Sequence, residues 1–326
     1  MKNCLITGVA GFIGSALAYD LVGENIKIIG VDNINTYYDT KLKRQRIDRI
    51  NRKIKDLSLP QDSFSFTKMD LAEGKEVNDL VRKFKPDIIC HFAAQAGVRY
   101  SIENPHTYVR NNITSTINLL EASKDYGVSD FVFASTSSVY GLSKQVPFSE
   151  DLPIDSTVSV YSSTKRACEL LCHTYHDLYP IKFRILRFFT VYGPWGRPDM
   201  ALSKFCSAIL NNKPIQIFND GDMVRDFTYI DDIIQGFKLA MADSSDFEIF
   251  NLGCGTPIKL MEFIGKIEEN LGLEAEKEYL PLQPGDVPVT MADIEKSRKI
   301  LGYSPKVDVD TGVFNFVKWY KEYHGF

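Results

Sequence analysis

Tyr161 and Lys165 stand four residues apart at the start of a strongly helical stretch, so both side chains leave one helix face. A free phenol titrates near ~10 and is a poor base at neutral pH. An ammonium beside it, joined by a positively charged cofactor ring, favours the phenolate. Lowering the pKa by about three units needs roughly 4 kcal/mol of differential stabilisation, within reach of two cations in a partly dry site. Tyr-x-x-x-Lys alone arises by chance. This one follows the fifth strand-like run of the chain, and Ser135-Thr136 close that run.

A second cluster lies at the beginning. Strand-like residues 3–7 lead into Thr7-Gly8-Val9-Ala10-Gly11-Phe12-Ile13-Gly14, then into a helix through Leu21. Glycines at this spacing allow a tight turn, close approach of backbone to a pyrophosphate, and close helix–strand packing. The helix N-terminus then presents unpaired N–H groups to the phosphates, so Gly8, Gly11, Phe12, Ile13 and Gly14 are candidate cofactor contacts. The second run ends at Asp32, where a carboxylate hydrogen-bonds an adenosine ribose diol and repels a 2′-phosphate, which favours NAD over NADP. Asp70, with Leu71 after it, is a candidate for the adenine; an ordinary helix N-cap is the competing reading of Asp70.

The elements that must position these residues alternate. Short apolar runs at 3–7, 27–32, 64–70, 87–92, 130–135 and 182–188 are separated by helical patterns, and a late run at 248–253 joins them. Continuous apolar strands between helices imply a parallel sheet covered on both faces. The expected fold class is α/β, a doubly wound Rossmann-type sheet with a smaller C-terminal substrate-binding lobe. The division is set at 1–186 for the dinucleotide domain and 187–326 for the lobe, with segments near 226–253 returning to the sheet. Residues 37–60 are a basic helical insertion with Leu42, Ile47, Ile50, Ile54 and Leu57 at helical spacing. Such a helix could bind anions or a membrane surface. The acidic total instead favours an apolar stripe docked on the sheet domain with its charges solvated.

The chain has 326 residues and a net charge of −4, which gives no reason to expect nucleic acid as a partner. No apolar run approaches the ~20 residues that span a bilayer, and the opening strand reads as leaving no room for a leader. Six scattered cysteines read as free and reduced, which suits the cytoplasm. Cys172, His173 and His176 suggest a metal, but the ligand set is incomplete and a helix surface is preferred; no metal is expected.

TGVAGFIG, STSSVYG and YSSTK resemble the extended short-chain dehydrogenase/reductase family. HFAAQAGVRYSIENP, RFFTVYGPWGRPDM, MVRDFTYIDDI and LQPGDVPVT are similar to its UDP-glucuronate 4-epimerases. The resemblance implies that Tyr161 takes the proton of the sugar 4-hydroxyl, that Thr136 relays it, and that Lys165 holds the nicotinamide ribose. It implies that Ala93, Ala94 and Asn112 line the cofactor pocket, with Phe188 near the nicotinamide. Arg225 would clamp the UDP diphosphate and Asp286 would contact the uridine ribose. Gln283 stands where neutral-sugar epimerases usually carry an arginine. Thr190 and Arg197 match the residues that grip a uronate carboxylate, for which an arginine fork is suited; a structural ion pair at the lobe boundary is the competing role for Arg197.

The resemblance also implies a homodimer, through helices near 107–125 and 160–178. The expected activity is NAD-dependent C4 epimerisation between UDP-glucuronate and UDP-galacturonate. Neutral or N-acetylated UDP-hexose epimerases rank next, and a UDP-glucuronate decarboxylase lower, because Thr136-Ser137-Ser138 lacks the acid those enzymes place after the threonine. A non-catalytic NAD-binding regulator is disfavoured by the presence of Thr136, Tyr161 and Lys165 together.

Overall fold

The computed structural model describes residues 2–326. Its first half alternates as the apolar runs require: β1 (Lys2–Thr7), α1 (Phe12–Leu21), β2 (Ile26–Asp32), α2 (Thr40–Asp56), β3 (Phe64–Lys68), α3 (Gly74–Phe84) and β4 (Ile88–His91). Two short helices follow, α4 (Val98–Glu103) and α5 (Pro105–Tyr108), and a π-helical turn over Val109–Thr114 feeds α6 (Ser115–Tyr126). Then come β5 (Asp130–Thr136), α7 (Val160–Leu178) and β6 (Lys182–Phe188). The remainder carries β7 (Thr190–Tyr192), α8 (Ala201–Leu210), β8 (Ile215–Phe218), β9 (Val224–Arg225), β10 (Phe227–Tyr229), α9 (Ile230–Ala242) and β11 (Phe247–Leu252). It closes with β12 (Ile258–Lys259), α10 (Leu260–Leu271), β13 (Lys277–Leu280), α11 (Glu295–Leu301) and α12 (Val309–His324).

The long strands form one seven-stranded sheet in the order β11-β6-β5-β4-β1-β2-β3, every neighbouring pair parallel. This is the doubly wound Rossmann-type arrangement. Its strand order reverses between β1 and β4, so a crevice opens at their carboxyl ends, where ligands of such sheets bind. The late run forms β11 and pairs with β6, and α9 before it packs on α1. The small strands pair only two by two, β7 with β10, β9 with β12 and β8 with β13.

Apolar side chains on the two faces of the sheet make two separate cores. Cys4, Ile6 and Cys90 point into one, Leu5, Ile29, Ile89 and Phe131 into the other. Neighbouring residues alternate between cores because successive strand side chains point to opposite faces.

The basic insertion forms α2, with Leu42, Ile47, Ile50 and Ile54 buried, and it packs against α1. Its charges are not all solvated, as the sequence suggested. Lys43 and Arg46 are buried, because each reaches backbone acceptors under the neighbouring loops.

Candidate active site

The turn after β1 and the loop after β4 face each other across the crevice. Gly8 has φ +67°, and a Cβ there would sit 2.8 Å from the Ala93 nitrogen, so no larger residue lets the strands end this close. At Gly14 a Cβ would meet the Gly8 carbonyl oxygen at 2.5 Å, which is why α1 begins directly over the turn. Gly11 leads into α1 with no capping side chain and no acid in the first turn. The N–H groups at Phe12 and Ile13 therefore stay available to an anion.

Asp32 is held in place by N–H groups, Ala10 N at 3.1 Å and Ile34 N at 2.8 Å. Burial pushes its carboxyl up, opposed by Ile34 N–H, Lys43, Ala10 N–H and Arg46. A glycine cradle, a bare helix N-terminus and a fixed carboxylate at the next strand end fit a dinucleotide whose ribose is a diol. Ala93, Ala94, Leu71 and Phe188 line the same cavity, with Phe188 stacked beside Phe92.

Asp70 also lines it, but two residues past β3, and it does not cap α3; Glu73 holds that position. Its carboxylate takes Ala72 N at 3.0 Å and pairs with Arg110. Asn112 is a correction. Rather than lining the pocket it is buried behind it, accepting Gln95 N at 2.7 Å and donating to Thr164 Oγ1 at 2.9 Å. Asn112 therefore braces the post-β4 loop against α7, because the π-helical turn before α6 aims its side chain at that helix.

The catalytic candidates come from α7 and the end of β5. A capping box between Ser159 and Ser162 starts α7 and fixes Tyr161 in its first turn. Lys165, one turn on, is buried and donates to the Ala134 carbonyl at 2.7 Å. Burial lowers it to about 8 against the opposing pull of Cys168, Cys172 and Glu169. Burial also pushes the Tyr161 phenol up, while Arg197 and a hydrogen bond with Thr136 hold it down. Lys165, one turn further along the same helix, lines the same cavity. Thr136 turns the chain at the end of β5 by accepting Ser138 N at 3.2 Å.

One continuous cavity of about 1090 Å³ joins this centre to the C-terminal lobe. That lies at the top of the ~300–1,000 Å³ range for single small-ligand pockets, so it has room for two ligands end to end. Thr190, Arg197, Arg225 and Asp286 all line it. Arg225 donates to the Val224 and Pro288 carbonyls at 3.0 and 2.8 Å, and Asp286 pairs with Arg99 at 2.8 Å. Gln283 uses its carbonyl to turn the loop, accepting Asp286 N at 3.1 Å. Arg197 is engaged by Asp199, whose carboxylate also accepts the Tyr37 hydroxyl at 3.1 Å.

Residues 4–253 match the model of the NAD dependent epimerase/dehydratase family. The chain belongs to that family. A UDP-glucuronate 4-epimerase of Thermodesulfobacterium geofontis is 43% identical, covering 99% of this chain and 97% of that one. The crystal structure of a UDP-glucuronic acid 4-epimerase from Bacillus cereus, in complex with UDP-glucuronic acid and NAD, superposes with TM-score 0.90 at 36% identity, over 99% and 100% of the two chains. A Thermotoga maritima UDP-glucose 4-epimerase with UDP-glucose matches almost as well in shape, TM-score 0.88 at 29% identity over 99% and 100% of the chains. Backbone shape thus does not separate acid from neutral sugars among epimerase/dehydratase proteins. Side chains must.

For this epimerase/dehydratase chain, sequence reasoning passed over Asp199, Arg99 and Tyr37. Asp199 and Arg99 stood inside quoted motifs, and a carboxylate two residues from Arg197 was the available signal. Tyr37 gave none, because its partner lies in the other lobe.

Proposed function

We propose that this chain interconverts UDP-glucuronate and UDP-galacturonate by NAD-dependent epimerisation at C4. The observation that carries the reading is the meeting, in one cavity, of Tyr161 and Thr136 with Arg197 and with the glycine turn at Gly8. NAD, when bound, supplies the hydride acceptor and donor at C4. Tyr161 takes the 4-hydroxyl proton and later returns it, Thr136 keeps that proton within hydrogen-bond reach, and Lys165 sets the charge of the pocket behind them. Arg225 and Asp286 hold the nucleotide end of the substrate. Relatives named for UDP-glucuronate epimerisation, matching along almost the whole length of both chains, support the substrate class.

Oxidation at C4 makes a β-keto acid, which loses CO₂ when the carboxylate bond aligns with the carbonyl π system. Thr190 and Arg197 are assigned the task of holding the carboxylate out of that alignment. The absence of an acid in Thr136-Ser137-Ser138 agrees with epimerisation. A second reading, a neutral-sugar epimerase, draws on the Arg197–Asp199 pair, which already neutralises much of the guanidinium charge.

The enzyme is inferred to work as a cytoplasmic homodimer. Among the described residues no helix is long and apolar enough to cross a membrane, and no cysteine is bridged. Val109, Leu170 and Leu178 expose apolar side chains on the π turn and α7, the segments assigned to the dimer face. Proton NMR of UDP-glucuronate with the purified protein tests the function. UDP-galacturonate with its carboxylate intact is the expected product; UDP-pentose, or turnover of UDP-galactose alone, replaces the reading.

A further inference from the structure

Arg46 on α2 is 1% exposed, yet it has no ion-pair partner among the described residues. All its donors are satisfied by neutral acceptors. Nη1 donates to the Ala10 carbonyl at 3.0 Å and the Tyr38 hydroxyl at 2.7 Å. Nη2 donates to the Trp195 and Gly196 carbonyls at 2.6 and 3.1 Å, and Nε to Trp195 again at 3.1 Å. One planar guanidinium therefore joins the glycine turn to the lobe loop that ends in Arg197. A compact ammonium could not span both sides.

Burying a cation without a counter-charge is costly, so its placement calls for a compensating anion. Lys43, one turn earlier, is buried as well and bonds Asn35 at its carbonyl and side chain, 2.8 and 2.6 Å away. Both cations act on Asp32. Arg197 and Asp199 act on Lys43 too, so three cations stand against two carboxylates beside the glycine turn and one positive charge is left in excess. The ligand chemistry that balances it is a dianionic pyrophosphate.

We propose that Arg46 is a positioning residue that clasps the cofactor turn to the substrate lobe, and that with Lys43 it retains the dinucleotide through successive turnovers. The inference rests on the NAD-dependent reading above, but its test does not depend on which sugar reacts. The purified protein, loaded with NAD, is diluted and the NAD remaining bound is quantified after acid release, with the unfolding midpoint measured in parallel.

R46K keeps the charge but loses the fork, and it is expected to release NAD at least tenfold faster than the wild type. K43Q should also release it faster, while R52Q, on the exposed side of the same helix, should not. A folded R46K that keeps the wild-type release rate overturns the clasp, even if its midpoint has fallen. Should R46K fail to fold, Y38F and K43Q decide the matter. Faster release in both supports the proposal, and unchanged release in either overturns it. Loss of epimerase activity with unaltered NAD retention would count against Arg46 and leave the assigned reaction intact.

Discussion

Arg197 and Asp199 form a two-point ion pair, Nε donating to Oδ1 at 3.0 Å and Nη2 to Oδ2 at 2.5 Å. The pair holds Asp199 ionised: burial alone would push its carboxyl up, but Arg197 and the Tyr37 hydrogen bond bring it below its ordinary value. Burial and the Asp199 charge push the Tyr37 phenol to about 12, so it remains a donor. Among the described residues no protein acceptor engages Nη1 of Arg197. One edge of the fork is thus oriented by Asp199, and the residue as a whole lines the cavity.

This geometry separates two roles that the sequence left joined. Arg197→Ala should weaken UDP-glucuronate binding by tenfold or more and leave UDP binding within about twofold, the loss expected for a charge-assisted fork. Isothermal titration of both ligands gives the answer, and equal losses would make the arginine a lobe-boundary strut. Asp199→Asn frees the guanidinium to turn, so the carboxylate of the oxidised substrate is held less firmly. A UDP-pentose signal in the NMR product mixture is expected from that variant and not from the wild type.

Tyr161→Phe removes the proton acceptor while keeping the ring that packs edge-on to Tyr108 at 6.1 Å. Turnover should fall by about 10²–10⁴-fold, the usual worth of a positioned acid–base group. Nucleotide content after purification should match the wild type. Retained activity would move the general base elsewhere.

His91 sets an acid limit on stability. Its Nδ1 accepts from Thr7 Oγ1 at 2.7 Å, and its Nε2–H donates to Thr116 Oγ1 at 3.0 Å, because that hydroxyl gives its own proton to the Asn112 carbonyl at 2.6 Å. Burial, helped by the Lys165 charge, lowers the imidazole from 6.5 to about 3. Below about pH 6.5 the unfolded chain binds a proton that the folded one refuses, so stability present above that pH is lost as the pH falls toward about 3. His91→Gln keeps polar contacts and cannot titrate. Between pH 6 and 5 its unfolding free energy should fall less steeply than the wild type's, by about 1 kcal/mol per pH unit, as followed by urea denaturation.

Behind the catalytic helix face lies a buried pair that the mechanism does not use. Arg187 donates to Glu169 through Nε at 3.0 Å and Nη2 at 2.9 Å, and Ser135, next to Thr136, donates to the same carboxylate at 2.5 Å. Glu169→Gln leaves the guanidinium buried without its counter-charge. The expected cost is about 3–5 kcal/mol of stability, measured by denaturant unfolding, whereas a change under 1 kcal/mol would mean that neutral acceptors such as Tyr140, which accepts from Arg187 at 3.0 Å, suffice for the guanidinium.

Much of the frame was legible in the residues themselves. The apolar runs became the seven strands of the central sheet, including the late one that returns as β11. The glycines at 8, 11 and 14 marked a turn that only small residues permit, since their missing Cβ atoms are required by backbone within 3 Å of the positions they would fill. Tyr161 and Lys165 shared a helix face by spacing alone. These features depend on neighbours a few residues away, through strand period, helix period and backbone sterics, and so they are written locally.

What only the tertiary structure decided are contacts between segments far apart in the chain. Periodicity marked α2 as basic and amphipathic, but could not say that Lys43 and Arg46 turn inward, because the acceptors of Arg46 include carbonyls at 195 and 196. Asn112 falls behind the cavity since the π turn aims it at Thr164 on α7, and Asp199 meets Tyr37 because the lobe folds over the insertion. A charge's neighbours set its cost of burial and its pKa, and those neighbours are chosen by packing. The sequence by itself determined the sheet, the glycine turn and the helix that carries Tyr161 and Lys165 on one face. The tertiary structure decided which charges face ligand and which face protein.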